Sequence, residues 1–207
     1  MARLISIHPL NPQVQRIEEV VQILQKGGLV IYPTDTVYGV GCDMTNARAV
    51  ERVYQLKGVK PGKTNFSIIC HDLSDIATYA LVSNQSFKLM KKALPGPFTF
   101  VLPATRSIPK LLEIKKRTIG IRIPNHAIPR MLVELLGNPL ITTSLPEDNS
   151  MIEYSTDPEL MAEKWNRLVD CVLDAGAGGI IPSTIVDLTG NQPEIIREGL
   201  GEIEQFL

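Results

Sequence analysis

The residues best suited to chemistry sit in one short stretch, Leu29-Val-Ile-Tyr-Pro-Thr-Asp-Thr-Val-Tyr-Gly-Val-Gly-Cys-Asp43. Thr34, Asp35, Thr36 and Tyr38 can all donate or accept hydrogen bonds. Gly39 and Gly41 leave room for a ligand or another backbone to approach. Polar groups held at the end of a buried strand are well placed to bind a ligand. The same residues can also form a turn whose threonines satisfy loop backbone.

Further along lie cations and hydroxyls of similar promise. Lys57-Gly-Val-Lys-Pro-Gly-Lys-Thr-Asn65 is a basic loop with Lys57, Lys60 and Lys63. It looks like a phosphate loop, but Gly58-x-x-x-Gly62-Lys63-Thr64 is one residue short between its glycines and follows a helix, which excludes the P-loop reading. As a bare charge cluster it is also compatible with solvated surface. Arg122 lies between Ile121 and Ile123 and before Pro124, consistent with a cleft-facing arginine or an exposed strand face. Thr142-Thr-Ser144 ends one strand, and Ser183-Thr184 opens another.

The elements that must position these groups follow from periodicity. Tyr32 closes a buried apolar run that begins at Leu29. Residues 3–8 read as an edge strand. Asn11-Pro12 opens a helix with Asn11 at its N-cap, and Gly27-Gly28 ends it. Thr45-Asn46 opens a second helix. Helices are expected over 73–79, 83–93 with Phe87, Leu89 and Met90 on or near the buried side, 108–112, 128–136 and from Asp157-Pro158 to about Leu168. Strands are expected over 66–70, 98–102, 117–124, 139–145, 169–174, 182–188 and 194–199. Residues 146–157 read as a polar loop that can move. About seven strands interleaved with helices make an α/β (α+β) fold. The sheet is expected to be mixed, because connections such as 188–194 are too short for a parallel crossover.

Composition limits the alternatives. The 207 residues are enough for a domain with a full core, and a single domain over 1–207 is expected. Net charge is −1, so no global charge excess announces a nucleic-acid partner. Cys42, Cys70 and Cys171 are scattered, as are His8, His71 and His126, so no metal site is expected. The cysteine usage reads as reduced thiols in a cytoplasmic protein. No apolar run reaches membrane-spanning length.

Taken in order, Tyr32-Pro-Thr-Asp-Thr-Val-Tyr-Gly39, Lys57, Pro95-Gly-Pro-Phe-Thr99, Ile121-Arg-Ile-Pro124, Thr142-Thr-Ser144, Pro182-Ser-Thr184 and Ile196-Arg-Glu-Gly199 resemble the YrdC-like family. The resemblance covers nearly the whole chain. Asn65-Phe66, Cys70-x-Asp-Leu-Ser74, Lys116-Arg-Thr-Ile-Gly120 and Thr143-Ser-Leu145 look closest to its YciO branch. The resemblance implies a twisted mixed sheet around a concave, positively lined cavity. It implies a nucleotidyltransferase reaction of the threonylcarbamoyl-AMP synthase type, combining L-threonine, bicarbonate and ATP with release of pyrophosphate, in support of tRNA threonylcarbamoyladenosine modification. The alternative is a double-stranded RNA or tRNA-binding protein that keeps the pocket without the reaction.

On this resemblance Lys57, Arg122 and Ser144 are the expected catalytic residues. Thr34, Tyr38, Lys57, Lys63, Ser144, Ser183, Thr184 and Arg197 are expected to hold the nucleotide, with Mg²⁺ arriving on ATP and held largely by its phosphates. Lys57, Arg122 and Arg197 would neutralise phosphate and carboxylate charge. Two departures stand out. The synthases' Lys-x-Arg reads Lys57-Gly-Val59 here, and their Ser-x-Asn reads Ser144-Leu-Pro146. The further C-terminal domain that some synthases carry is not expected.

Overall fold

The structure, a computed structural model, describes residues 1–64, 66–112, 117–146 and 153–204. Asn65, Lys116 and residues 147–152 of the expected loop lie outside the described residues.

The β-branched runs form strands where expected: β1 (Arg3–Ser6), β2 (Val30–Tyr32), β4 (Ser67–Ile69), β5 (Phe98–Pro103), β6 (Thr118–Arg122), β7 (Leu140–Ser144), β8 (Cys171–Asp174), β9 (Thr184–Asp187) and β10 (Glu194–Arg197). A further strand, β3 (Gly39–Asp43), joins these nine, so the described residues hold ten strands, more than the overall count of about seven expected from the sequence. Its two glycines hid it, since glycine weakens strand propensity. Pairing on both sides, with β2 and β7, gives it the ladder bonds that propensity does not promise. Glycine is required there. A Cβ on Gly41 would stand 1.9 Å from the Ile141 carbonyl oxygen.

The strands join in one mixed sheet, in the order β1-β8-β2-β3-β7-β4-β6-β5-β9-β10. β1, β8 and β2 run parallel, as do β4 with β6 and β5 with β9. The short 188–194 connection joins the antiparallel pair β9 and β10, as its length demands.

Helices cover the two faces. On one, α2 (Ala47–Lys57), α3 (Leu73–Tyr79), α4 (Asn84–Ala93) and α7 (Pro158–Trp165) bury Val53, Ile76, Met90 and Met161 against Val40, Ile68, Ile121, Ile141 and Val172. On the other, α1 (Val14–Gln25) and α5 (Ala127–Leu136) bury Ile17, Leu24, Ile128 and Leu132 against Val30, Ile69, Leu140, Cys171 and Leu173. A four-residue helix, α6 (Glu153–Thr156), precedes α7, and a single 3₁₀ turn spans Lys110–Leu112. Among the described residues no helix is long and apolar enough to cross a membrane.

Local chemistry explains the helix ends. Asn46 caps α2 by accepting from the Ala49 N–H, and Asp157 caps α7 with Pro158 in its first turn. α1 begins at Val14 and not after Asn11, because His8 Nδ1 accepts from the N–H groups of Leu10 and Asn11 and holds them in a turn. Phe87 is 43% exposed, so the buried stripe of α4 runs through Ser86, Met90 and Ala93 instead.

Candidate functional site

Strand pairing decides which side chains share a face. Ser67 pairs with both Thr142 and Gly120, Thr142 pairs with Gly41, and Ser144 pairs with Gly39. Side chains two residues apart on a strand point the same way, so Arg122 joins Gly120 on that face. One step beyond the Phe100–Ile121 pair, Thr99 stands opposite Arg122. Thr99 pairs with Ile185, and Ile185 with Arg197. Arg122, Thr99, Ile185 and Arg197 therefore form one cross-strand row through β6, β5, β9 and β10.

This is the face that α1 and α5 cover farther along the sheet. Where those helices end, its apolar residues give way to glycine, serine, threonine and arginine. The result is a cavity of about 420 Å³ lined by Tyr38, Ser67, Thr99, Arg122, Thr142, Ser144, Ser183 and Arg197, with Val37, Leu145, Ile180, Pro182 and Ile185 as apolar wall. A Cβ on Gly120 would lie 2.3 Å from Ser67 Oγ and 3.2 Å from Thr99 Cγ2, so glycine there lets the two hydroxyl residues converge on the floor.

Arg122 is 7% exposed. Its Nη2 donates to Asp35 Oδ1 and Thr36 Oγ1, each at 3.1 Å. Burial pushes its pKa down from the ordinary arginine value; Asp35 opposes that shift, and the Arg197 charge adds to it. Arg197 donates from Nη2 and Nε to the Ser183 carbonyl at 2.8 and 3.3 Å. Ser183 Oγ lies 2.9 Å from Thr99 Oγ1, so two hydroxyls sit between the two guanidinium groups. Lys57 reaches the cavity rim, where its Nζ donates to the Ser144 carbonyl at 3.1 Å.

The other expected residues have different surroundings. Thr34 is not among the lining residues; its hydroxyl donates to the Val37 carbonyl at 2.7 Å and accepts from the Thr36 N–H. Thr184 is fully buried, donating to the Gly201 carbonyl and accepting from the Gly199 N–H. Lys63 is exposed and outside the lining. Tyr38 is among the lining residues, but its hydroxyl donates to the Gly176 carbonyl at 2.8 Å, and burial raises its pKa to about 12. Asp35, Ser67, Thr99 and Thr142 are not among the catalytic and nucleotide-holding residues expected from the sequence, although Asp35, Thr99 and Thr142 lie inside recognisable motifs; Ser67 carried no signal.

Of the two departures, Val59 has a local structural role. Val59 donates its N–H to the Tyr54 carbonyl and Gly58 donates to that of Gln55, with Gly58 left-handed at φ 64°. This is a Schellman motif ending α2, and Val59 packs against the core as its apolar partner. Pro146 follows directly on the cavity wall at Leu145. A larger groove of about 820 Å³ opens elsewhere, lined in part by Arg3, Lys26, Arg52 and Arg167. Arg52 is accounted for there: it donates to the Gly27 and Leu168 carbonyls, just past α1 and α7, and to Asp170 Oδ2 at 2.8 Å.

Comparison with known proteins places this chain in a family. The Sua5/YciO/YrdC family profile, described as "Telomere recombination", matches residues 22–199. The chain belongs to the Sua5/YciO/YrdC family. The uncharacterized protein YciO of Escherichia coli K12 is 40% identical over 100% of both chains. The crystal structure of E. coli YciO superposes over 100% of both chains with a TM-score of 0.92 and 38% identity. More distant is the threonylcarbamoyl-AMP synthase of Pyrococcus abyssi, 31% identical over 93% of this chain and 59% of its own length. The crystal structure of P. abyssi Sua5 complexed with L-threonine matches 95% of this chain and 57% of that one, with a TM-score of 0.81 and 27% identity. The sequence thus lies nearer YciO than the synthases, as the residues of the YciO branch suggested. The double-stranded RNA expectation gains no support from these comparisons.

Proposed function

We propose that the cavity binds ATP and carries out chemistry of the threonylcarbamoyl-AMP synthase type. The observation that supports this most is the row Arg122, Thr99, Ile185 and Arg197 on the floor of one cavity, in a family that includes those synthases. Such a reaction places a carboxylate oxygen on the α-phosphorus of ATP and releases pyrophosphate. It needs cations and donors that hold phosphate and carboxylate more than it needs a protein nucleophile.

In this reading Arg122 and Arg197 offer guanidinium groups to phosphate or carboxylate, Thr99 and Ser183 offer short hydroxyl donors between them, and Ser67 and Thr142 offer two more on β4 and β7. Lys57 brings a point charge to the rim beside Ser144. L-threonine and bicarbonate are the co-substrates, in line with the P. abyssi Sua5 complex with L-threonine. Among the described residues no three His, Cys, Asp or Glu side chains group as a metal site. A Mg²⁺ ion delivered with ATP is then held by phosphate oxygens. Val59 and Pro146 withhold a guanidinium and an amide that the synthases present, so the expected rate is lower than theirs.

The test is pyrophosphate release with ATP, Mg²⁺ and bicarbonate, with and without L-threonine. Threonine-dependent release that disappears in Lys57→Ala is the expected result. Absence of release by intact protein that still binds ATP would leave the nucleotide site and overturn the synthase reaction.

A further inference from the structure

The cavity's buried arginine is held by a carboxylate from a distant turn. Asp35 lies in the turn between β2 and β3, whereas Arg122 ends β6, with β7 and β4 between them in the sheet. The Asp35 and Arg122 side chains are only 10% and 9% exposed. Asp35 uses both oxygens. Oδ1 accepts from Arg122 Nη2 at 3.1 Å, and Oδ2 accepts from the Asn125 N–H at 2.9 Å. One oxygen grips the guanidinium, and the other grips the backbone just beyond the strand that carries it.

The three guanidinium nitrogens are thereby sorted. Nη2 is taken by Asp35 and Thr36. Nε is buried without a partner among the described residues. Nη1 is neither fully buried without a partner nor bonded to a described residue, so it is the nitrogen left for the cavity that Arg122 lines. We infer that Asp35 is a positioning residue: it fixes the Arg122 guanidinium so that Nη1 meets an anionic phosphate or carboxylate oxygen of the ligand. The inference rests on the phosphate-binding reading proposed above.

Aspartate suits this task for a stated reason. An ionised carboxylate accepts at both oxygens, whereas an asparagine has one acceptor and one donor. In Asp35→Asn the amide must turn its NH₂ group toward either Arg122 or the Asn125 N–H, and one bond is lost whichever way it turns. The negative charge that offsets a buried guanidinium is lost as well.

The test is a double-mutant cycle on the full chain, with inorganic pyrophosphate as the calorimetric probe. Asp35→Asn is expected to weaken pyrophosphate binding about 10-fold, which is the loss of one charge-assisted bond. Arg122→Gln is expected to weaken it at least as much. Asp35→Asn added to Arg122→Gln is expected to cost nothing further, because Asp35 acts through Arg122. Additive losses, or an unchanged affinity in a folded Asp35→Asn protein, would overturn the inference while leaving the phosphate site standing. Unchanged affinity in Arg122→Gln would overturn the phosphate reading itself. If Asp35→Asn does not fold, Thr36→Val carries the same cycle, since it removes the other acceptor of Nη2 without removing a charge. A Thr36→Val loss that persists in the Arg122→Gln background would count against the inference.

Discussion

Lys57, the last residue of α2, places its ammonium 3.1 Å from the carbonyl oxygen of Ser144, the last residue of β7. Two elements on different sides of the cavity mouth are thus joined at one point. The Schellman motif at Gly58 and Val59 fixes where α2 stops, and so fixes where the lysine emerges. Lys57→Ala is expected to lower threonine-dependent pyrophosphate release about 100-fold, the scale for losing one strong electrostatic donor. Its stability is expected to change by less than about 1 kcal/mol, because surface contacts are worth little. Pyrophosphate assays alongside urea unfolding separate the two effects.

Arg122 is a different case, since its partner is buried with it. Arg122→Ala leaves Asp35 without its counter-charge and is expected to cost about 3–5 kcal/mol of stability. Urea unfolding midpoints report it. A loss below about 1 kcal/mol would mean that the pair is far better hydrated than its burial indicates.

Thr184 is expected to matter for folding more than for ligand binding. Its hydroxyl ties the chain at Gly199 and Gly201 to the head of β9. A Cβ on Gly199 would fall 2.2 Å from the Pro182 carbonyl, so the two segments are already in close contact. Thr184→Val leaves the buried Gly201 C=O and the half-buried Gly199 N–H without their partner, at about 1–3 kcal/mol each if water cannot replace it. Thr184→Ser is expected to keep most of the stability, as thermal unfolding of the two variants will show.

The resemblance to the synthases puts an arginine and an asparagine at the positions of Val59 and Pro146. If they limit the reaction, Val59→Arg combined with Pro146→Asn raises pyrophosphate release about 10-fold or more. Val59→Arg alone is expected to destabilise α2 slightly, since Val59 is the apolar partner of its terminal motif. An unchanged rate in a folded double variant would show that the chemistry is limited elsewhere.

Alkaline pH is expected to weaken the fold. Burial raises Tyr38 from 10.0 to about 12 and Cys70 and Cys171 from 9.0 to about 12, and it also raises Cys42 and Tyr32. Each group is neutral in the folded chain and ionises earlier in the unfolded one. Stability is therefore complete below about pH 9 and falls as pH rises through the interval toward about 12, by up to ~1.4 kcal/mol per pH unit per group. Urea midpoints at about pH 7.5 and about pH 10.5 test this, and equal midpoints would contradict it.

Most elements were legible because their signals are local. Leu29 to Tyr32 reads as a buried strand and is one, extending into β2. Thr45-Asn46 and Asp157-Pro158 read as helix openings, and Asn46 and Asp157 cap the helices found there. β3 was not legible, because Gly39 and Gly41 are there for close backbone approach, and that approach comes from Ile141, far away in sequence. Asn11 failed as a cap because His8 competes for the same backbone.

For the site, the sequence by itself determined the inventory: two arginines, a rim lysine and hydroxyls at strand ends, in the order that marks the family. It also determined which neighbours alternate across a strand, since the pleat has a period of two residues. Only the tertiary structure decided which of these groups meet. Thr34 and Thr184 have the same hydroxyl as Thr99 and Thr142, yet the first two are bonded to backbone and the latter two line the cavity. The choice rests on the order β6-β5-β9-β10 and its register, which put Arg122 and Arg197 in one row. Register is set by long-range backbone pairing and by burial of the opposite face. A one-residue slip would turn every one of these side chains away from the cavity.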